Sequence, residues 1–263
     1  MHRILFNIGP WPVYSYGAMI SLGIIAGTAL AWYLAKRDGT KFANSVLDLV
    51  LYVTVAGIIG ARLLYVVFEW EYYGKNLAEI LALWHGGLSV QGAVLGGLLA
   101  VIYYCRRYEL PFWEFGDYLA PGLFLGQAIG RFGCFLNGCC YGKPTESFLG
   151  VVFPPGTDAY FAFGATPLLP SQLFEVAYNL IMLGLLLLIV RKKPFNGFFV
   201  LSYFLFYSFG RFLIEFTRTN NLFTVYGLTV AQVACVFTFT ASLVLMIVLY
   251  RQARQGPGID GNA

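Results

Sequence analysis

Apolar residues dominate the chain in seven long runs, and short polar or glycine-rich segments separate each run from the next. A run of about 20 mostly apolar residues is long enough to cross the hydrocarbon core of a bilayer as a helix. The pattern therefore predicts an all-α integral membrane protein with about seven transmembrane helices. The approximate bounds of the predicted helices are 14–35, 46–68, 88–105, 112–135, 173–190, 197–216 and 228–250.

Lysine and arginine residues are distributed unequally between the two sets of connections. One set carries ten of them and the other carries four. Cytoplasmic loops are enriched in these residues, so we predict that the first set is cytoplasmic, with the N-terminus outside and the C-terminus inside. The ten are Lys36, Arg37, Lys41, Arg106, Arg107, Arg191, Lys192, Lys193, Arg251 and Arg254, and the four are Arg3, Lys75, Lys143 and Arg218.

Composition agrees with a lipid environment, because 59% of the residues are hydrophobic and only 11% are charged, against about 25% charged in soluble domains. The net charge of +4 comes from small groups of basic residues between apolar runs, so it does not indicate nucleic-acid binding. No long polar linker divides the chain. We predict one membrane domain over 1–254 with an irregular outer loop at about 138–170, and a disordered cytoplasmic tail at 255–263. No removable signal peptide is expected.

Glycines recur four residues apart in three of the predicted helices. Such spacing places small residues on one helix face and lets two helices approach closely in lipid. We interpret these glycines as packing positions. They are Gly23 and Gly27, Gly92 and Gly96, and Gly122, Gly126 and Gly130.

Three arginines, Arg62, Arg131 and Arg211, lie within predicted spans, and Glu215 follows Arg211 by one helical turn. A charge at the bilayer centre costs at least about 2.5–3.5 kcal/mol. Either internal ion pairs, such as Arg211 with Glu215, offset this cost, or the arginines line a polar cavity that binds an anion. A guanidinium group suits phosphate because its planar fork donates two hydrogen bonds and keeps its proton. A phospholipid headgroup is the nearest abundant phosphate, and an aqueous anion, which would imply a transporter, is the competing ligand.

The fourth predicted helix ends in the segment RFGCFLNGCCYG, which contains three of the five cysteines, Cys134, Cys139 and Cys140. We interpret them as buried packing residues, and a disulfide on the oxidising side, a metal site and a catalytic thiol are the alternatives. The only histidines of the chain are His2 and His85. We predict no metal-binding residues and no cofactor.

The chain resembles the prolipoprotein diacylglyceryl transferases of bacteria from about Tyr14 to Arg218. The most specific match is the block GRFGCFLNG at 130–138 with its closing Tyr141-Gly142. Further matches are Tyr16-Gly17, Gly60-Ala61-Arg62-Leu63, Asp117-Tyr118-Leu119-Ala120-Pro121, Pro170-Ser171-Gln172-Leu173-Phe174-Glu175, Tyr207, Arg211-Phe212, Glu215 and Arg218.

The resemblance implies a transferase of the bacterial inner membrane that acts in the first step of lipoprotein maturation. Enzymes of this family move the diacylglyceryl group of phosphatidylglycerol to the lipobox cysteine of a prolipoprotein signal peptide. The products are a thioether and glycerol phosphate. Partners are then this lipid, the signal peptide and the surrounding membrane lipids, and no nucleic acid is involved.

The resemblance also implies a set of site residues. The implied catalytic residues are Arg131, Arg211, Glu215, Tyr16 and Gln91. The residues implied to bind phosphatidylglycerol are Arg131, Arg62, Asn137, Gly142, Tyr207 and Arg211. Glu215 is one candidate acceptor for the thiol proton, and nearby arginines are a second means of favouring the thiolate.

The chain departs from the family pattern at four positions. Gln91 stands where some members have histidine, and Leu169 stands where histidine is usual. Cys134 and Cys139 replace the asparagine and glutamate of many members. Imidazole therefore cannot be the general base at positions 91 and 169. A divergent paralogue with altered or lost transferase activity is the alternative that these departures support.

Overall fold

A computed structural model describes residues 1, 3–9, 11–40, 42–82, 86–190, 193–219, 224–225 and 227–255. Several positions used above lie outside the described residues. They are the two histidines, Lys41, Arg191, Lys192 and, apart from Gln255, the tail predicted to be disordered.

Helices dominate the described residues, and each long helix coincides with a predicted span. In chain order the helices are α1 (Ser15–Arg37), α2 (Ala43–Phe68), α3 (Trp70–Tyr73), α4 (Val90–Arg107), α5 (Phe112–Asn137), α6 (Asp158–Phe163), α7 (Ser171–Ile189), α8 (Phe198–Glu215) and α9 (Val230–Gln255). A 3-10 turn covers Leu77–Leu81. The all-α membrane class is therefore confirmed.

Within the described residues, six of the long helices are apolar enough to cross a membrane. The predicted span that is missing from the six is α4, which has 18 residues and ends in Arg106 and Arg107. These two arginines, together with Gln91 and three glycines, make α4 more polar than the other long helices. The number of crossings and the orientation of the termini stay predictions.

Short strands precede α1 and α9. Strands β1 (Ile4–Ile8) and β2 (Trp11–Tyr14) form an antiparallel hairpin in which Ile4 lies opposite Tyr14. Strands β3 (Thr224–Val225) and β4 (Leu228–Thr229) form a second antiparallel pair immediately before α9.

The chain divides into two compact units, Met1–Ala31 with Gly116–Ala263 and Trp32–Phe115. The single domain over 1–254 stays a prediction. In the first unit, α1 and α5 meet at glycines, since a Cβ atom on Gly23 would lie 2.8 Å from the carbonyl oxygen of Gly126. Gly27 meets Gly122 in the same way. The predicted packing role of these four glycines is confirmed. The same prediction for Gly130 is wrong, because nothing lies within 4 Å of a Cβ atom built there.

A buried carboxylate joins α5 to the start of α8. Asp117 accepts hydrogen bonds from the backbone N–H groups of Gly197 and Phe199, each at 2.8 Å, and from Val200 at 3.1 Å. The first N–H groups of a helix have no partner within the helix, and they carry partial positive charge. Asp117 therefore fixes the beginning of α8, the helix that carries Arg211 and Glu215.

The loop at 138–170 is folded, although its sequence predicted an irregular connection. It contains α6 and places Leu168 opposite both Pro144 and Val151. It also has its own small hydrophobic core of Tyr141, Phe153, Ala159 and Leu168. The segment that follows the signature block is therefore held in a defined conformation.

In the second unit, α2 and α4 pack through glycines. A Cβ atom on Gly92 would collide with the carbonyl oxygen of Gly60, and one on Gly96 would collide with the carbonyl oxygen of Ala56. This confirms the predicted packing role of Gly92 and Gly96.

Candidate functional site

One buried carboxylate, that of Glu175 on α7, lies among three arginines of the first unit. Its Oε2 is 2.6 Å from Nε of Arg131, and its Oε1 is 3.7 Å from Nη1 of Arg211 and 3.5 Å from Nη1 of Arg218. Glu175 is only 4% exposed. A buried carboxylate is retained in a protein only with charged or hydrogen-bonding partners, so Glu175 and the arginines hold one another in place.

A second carboxylate, that of Glu215, completes the cluster. Glu215 Oε2 lies 2.6 Å from Nη1 of Arg211, one helical turn earlier in α8. Its Oε1 accepts a hydrogen bond at 3.2 Å from the Thr229 hydroxyl. The predicted pairing of Arg211 with Glu215 is confirmed, and both oxygens of this carboxylate are engaged.

The three guanidinium groups and two carboxylates of this cluster carry a net charge of +1. Arg131 is the most accessible of the three arginines, with 25% of its side chain exposed against 14% for Arg211 and 12% for Arg218. Among the described residues, Glu175 is the one carboxylate within ion-pair distance of Arg131. The arrangement favours binding of an anion on the side of Arg131.

Aromatic side chains flank the cluster. Tyr207 stacks on Tyr203 with ring centroids 6.0 Å apart, and it lies within electrostatic range of Arg131 and Arg211. Tyr16, which is 40% exposed, lies within electrostatic range of Arg131. The structure therefore brings four of the five implied catalytic residues, Arg131, Arg211, Glu215 and Tyr16, into one region. Tyr207, from the implied lipid-binding set, lies in the same region.

Three thiols lie next to this region. The sulfur atoms of Cys134, Cys139 and Cys140 all lie within 4.8 Å of one another. No disulfide joins them, since all three are free cysteines. Hydrogen bonds with Cys134 and Cys139, together with the charges of Arg218 and Arg131, lower the pKa of the Cys140 thiol.

The implied lipid-binding residues Asn137 and Gly142 belong to the same segment. The Asn137 side chain forms a hydrogen bond with the Cys139 side chain. A Cβ atom on Gly142 would lie 2.5 Å from the Ser171 hydroxyl oxygen and 2.7 Å from the carbonyl oxygen of Leu169. Only glycine fits this position without displacing its neighbours, so Gly142 has a packing role whatever else it does.

The other two implied site residues, Arg62 and Gln91, belong to the second unit. All five N–H donors of Arg62 are directed to backbone carbonyl oxygens of the connection between α3 and α4, at 2.6–3.2 Å. The acceptors are Glu79, Ile80, Ala82, Gly86 and Gly87. Gln91 accepts a hydrogen bond from the Ser89 hydroxyl at 2.9 Å. Arg62 thus supports this connection, and the substrate roles of both residues stay predictions.

The implied site set omitted Glu175 and Arg218. A carboxylate partner for a buried arginine is easy to find in the sequence when it lies four residues away on the same helix, as Glu215 does. Glu175 lies on a different helix from all three of its arginines. The only signal for it was its place in the PSQLFE segment.

The fold and the site together define a class of protein. It is a helical membrane protein with a buried cluster of arginines and glutamates that carries a net positive charge. The family model for prolipoprotein diacylglyceryl transferase matches residues 3–248. The chain therefore belongs to the prolipoprotein diacylglyceryl transferase family and is a multi-pass membrane protein.

Relatives from several bacteria match the chain along almost its whole length. Each is named phosphatidylglycerol–prolipoprotein diacylglyceryl transferase. The protein of Halalkalibacterium halodurans is 36% identical over 256 residues, which are 97% of this chain and 88% of the relative. That of Geobacillus kaustophilus is 37% identical over 94% of this chain and 92% of the relative. That of Acaryochloris marina is 34% identical over 96% and 92%.

Proposed function

We propose that this protein transfers the diacylglyceryl group of phosphatidylglycerol to the lipobox cysteine of a prolipoprotein, at the outer side of a bacterial inner membrane. The observation that carries the proposal is the cluster of Arg131, Arg211 and Arg218 around Glu175, in a chain whose relatives bear the name of this activity. The predicted orientation, with the end of α5 at the outer face, supports the proposed side of the membrane.

The reaction requires positive charge where the lipid headgroup lies. The substrate sulfur forms a bond to a glyceryl carbon as the bond from that carbon to the phosphate oxygen breaks, and glycerol phosphate leaves with the electron pair. The phosphodiester carries one negative charge, while the departing monoester carries one more. Preorganised donors that face this developing charge lower the barrier.

Arg131 is the group we assign to the phosphate. Its Nε is fixed by Glu175, and it is the most accessible guanidinium of the cluster. Arg211 is held between Glu175 and Glu215 and adds positive charge behind it. Tyr207 and Tyr16 supply hydroxyl groups in the same region, so we assign them to orientation of the headgroup.

The substrate thiol must also lose its proton, because the thiolate is the nucleophile. Glu215 is the implied acceptor. Both of its oxygens are already engaged, one by Arg211 and the other by Thr229. Glu215 can therefore accept the thiol proton only if it gives up one of these two contacts. Otherwise a different group accepts the proton.

The test uses the purified protein in detergent with phosphatidylglycerol and a lipobox peptide, and mass spectrometry of the peptide. We expect a diacylglyceryl mass addition. Replacement of Arg131 or Arg211 by alanine should lower the rate about 10²–10³-fold, as loss of one charge-stabilising donor does. Arg254→Ala, at the end of α9, is the matched control.

Two outcomes would contradict the proposed reaction, and a third would contradict the role of the cluster. A wild-type protein that leaves the peptide unmodified supports the divergent paralogue. Flux of an anion across sealed vesicles without a covalent product supports the transporter. Full activity in both arginine variants would remove the phosphate-binding role of the cluster.

A further inference from the structure

The three cysteines of the signature segment converge because of how α5 ends. Cys134 lies in the last turn of the helix, and Gly138, with φ of +73°, then reverses the chain. The backbone N–H of Cys139 donates back to the carbonyl oxygen of Cys134 at 3.2 Å. This turn brings Cys139 and Cys140 alongside Cys134, with all three sulfur atoms within 4.8 Å of one another.

Packing alone does not require this arrangement. Cys139 and Cys140 are only partly buried, and Cys140 has a φ of +63°, a conformation that residues with a side chain rarely adopt. Further contacts hold the turn, since the amide of Gln172 donates to the carbonyl oxygen of Cys139 at 2.7 Å. Backbone strain of this kind persists where the surrounding structure enforces it, and it is concentrated at functional sites.

The sulfur separations fit a metal ion of the zinc class. With Zn–S bonds of about 2.3 Å, tetrahedral coordination sets the sulfur atoms about 3.8 Å apart. The present separations, at most 4.8 Å, therefore need to close by no more than about 1 Å. A divalent ion with three thiolates carries a net charge of −1. The guanidinium groups of Arg218 and Arg131, both within electrostatic range of Cys140, favour that charge.

The number of ligands also points to a particular kind of site. Structural zinc sites are closed by four protein ligands, whereas catalytic ones have three and leave a position for water or substrate. Among the described residues, no fourth histidine, cysteine, aspartate or glutamate joins the three thiols. The site is adjacent to Arg131, where we place the phosphate.

We propose that Cys134, Cys139 and Cys140 bind one thiophilic divalent cation, such as Zn²⁺, and leave its fourth position open to the thiol of the incoming peptide. The second half of this statement rests on the proposed function. Binding releases three thiol protons as three sulfur–metal bonds form. The substrate thiol then loses its proton to solvent as its sulfur binds the metal. Coordination to the metal thus takes over the role of the missing imidazole base.

Cobalt binding tests the metal site without reference to activity. The full-length protein, reduced and freed of metal with a chelator, is titrated with Co²⁺ in detergent and phosphatidylglycerol. We expect one Co²⁺ per chain, sulfur-to-cobalt charge-transfer absorption and tetrahedral visible bands, all lost when Zn²⁺ is added. Cys134→Ser and Cys139→Ser should weaken binding at least tenfold, while Cys105→Ser, a buried cysteine on α4, should leave it unchanged.

Three results would overturn the metal site. The first is absence of the charge-transfer band in reduced protein. The second is equal cobalt affinity in the serine variants, with wild-type thermal unfolding showing that they are folded. The third is freshly isolated protein whose mass is lower than that of the reduced protein by two hydrogen atoms, with two of the three cysteines resistant to alkylation. That result would identify a disulfide.

A lipobox peptide tests the open position. The cysteine peptide should shift the visible bands of the cobalt protein, and the same peptide with serine in place of cysteine should not. Undiminished transferase activity in metal-free protein would overturn the inference and leave the proposed function standing. Cobalt bands that respond to the cysteine peptide, with no diacylglyceryl product from the zinc protein, would leave the metal site standing and overturn the proposed function.

Discussion

Replacement of Glu175 by glutamine is the sharpest test of the charged cluster. The side chain keeps its size and some of its hydrogen bonds but loses the charge that faces three guanidinium groups. The net charge of the five-residue cluster rises from +1 to +2. The variant therefore separates two contributions of the cluster, the attraction of an anion and the placement of Arg131.

The magnitude follows from burial. Removal of one partner from a buried ion pair costs about 3–5 kcal/mol in the free energy of unfolding. Arg131 is 25% exposed and gains some solvation when released, so we expect a loss of about 3 kcal/mol, at the low end of that range. A reacting group displaced by about 1 Å loses about 10²-fold in rate. We therefore expect kcat to fall about 10²-fold, while KM for phosphatidylglycerol stays level or falls because the site is more positive.

The assay measures initial rates of lipobox-peptide modification over a range of phosphatidylglycerol in mixed micelles, with thermal unfolding recorded on the same samples. The matched control is Glu146→Gln, which changes an exposed glutamate of the loop at 138–170 and should behave as wild type. An unchanged kcat with a raised KM would refute the positioning role. It would mean that Glu175 contacts the lipid rather than the arginines.

Three further substitutions test the framework around the site. Arg62→Lys should lower the free energy of unfolding by about 2–3 kcal/mol and speed amide exchange at residues 79–82, because an ammonium group cannot donate to five carbonyl oxygens at once. Gly142→Ala should cost about 1–3 kcal/mol, since its Cβ would lie 2.5 Å from the Ser171 hydroxyl oxygen, and thermal unfolding measures this. Asp117→Ala should cost about 1–2 kcal/mol and loosen the first turn of α8, which amide exchange at Gly197 reports.

These three predictions have separate controls. Gly130→Ala is the matched control for Gly142→Ala, because nothing lies within 4 Å of a Cβ atom built there. Wild-type exchange in the Arg62→Lys protein would show that the connection before α4 does not depend on the guanidinium. Wild-type unfolding of Asp117→Ala would show that water replaces the carboxylate as the partner of those N–H groups.

The helices were predictable because lipid imposes one simple requirement on them. A spanning segment must be long and apolar, and that requirement can be read from the sequence without knowledge of the rest of the fold. The close contact of Gly23 with Gly126 and of Gly60 with Gly92 was foreseen only as a packing face, because residue spacing does not identify the partner helix. The folded conformation of the loop at 138–170 was not predicted, because Leu168 pairs with residues 17 or more positions away.

The site was predictable to the extent that its contacts are local. Arg211 and Glu215 are one helical turn apart, and their pairing follows from that spacing. The convergence of three sulfur atoms depends on a chain reversal at Gly138. The use of Arg62 to hold five backbone carbonyl groups depends on the path of the connection that follows α3. The spacing of the cysteines does not reveal the chain reversal at Gly138. The position of Arg62 in the sequence does not reveal the path of the connection that it holds.

In the proposed reaction, the charge balance of the cluster suits turnover as well as catalysis. Three arginines without acidic partners would carry +3, bind the doubly charged product more tightly than the singly charged lipid, and slow product release. With Glu175 and Glu215 in place, the net charge of the cluster is +1. The charge of the phosphate group changes from −1 to −2 during the reaction, so the cluster offsets the one negative charge that develops. An enzyme gains rate from interactions that strengthen in the transition state, and tight uniform binding adds nothing to kcat. On this argument the two carboxylates both fix the arginines and limit their attraction for glycerol phosphate, so removal of either should increase inhibition by that product.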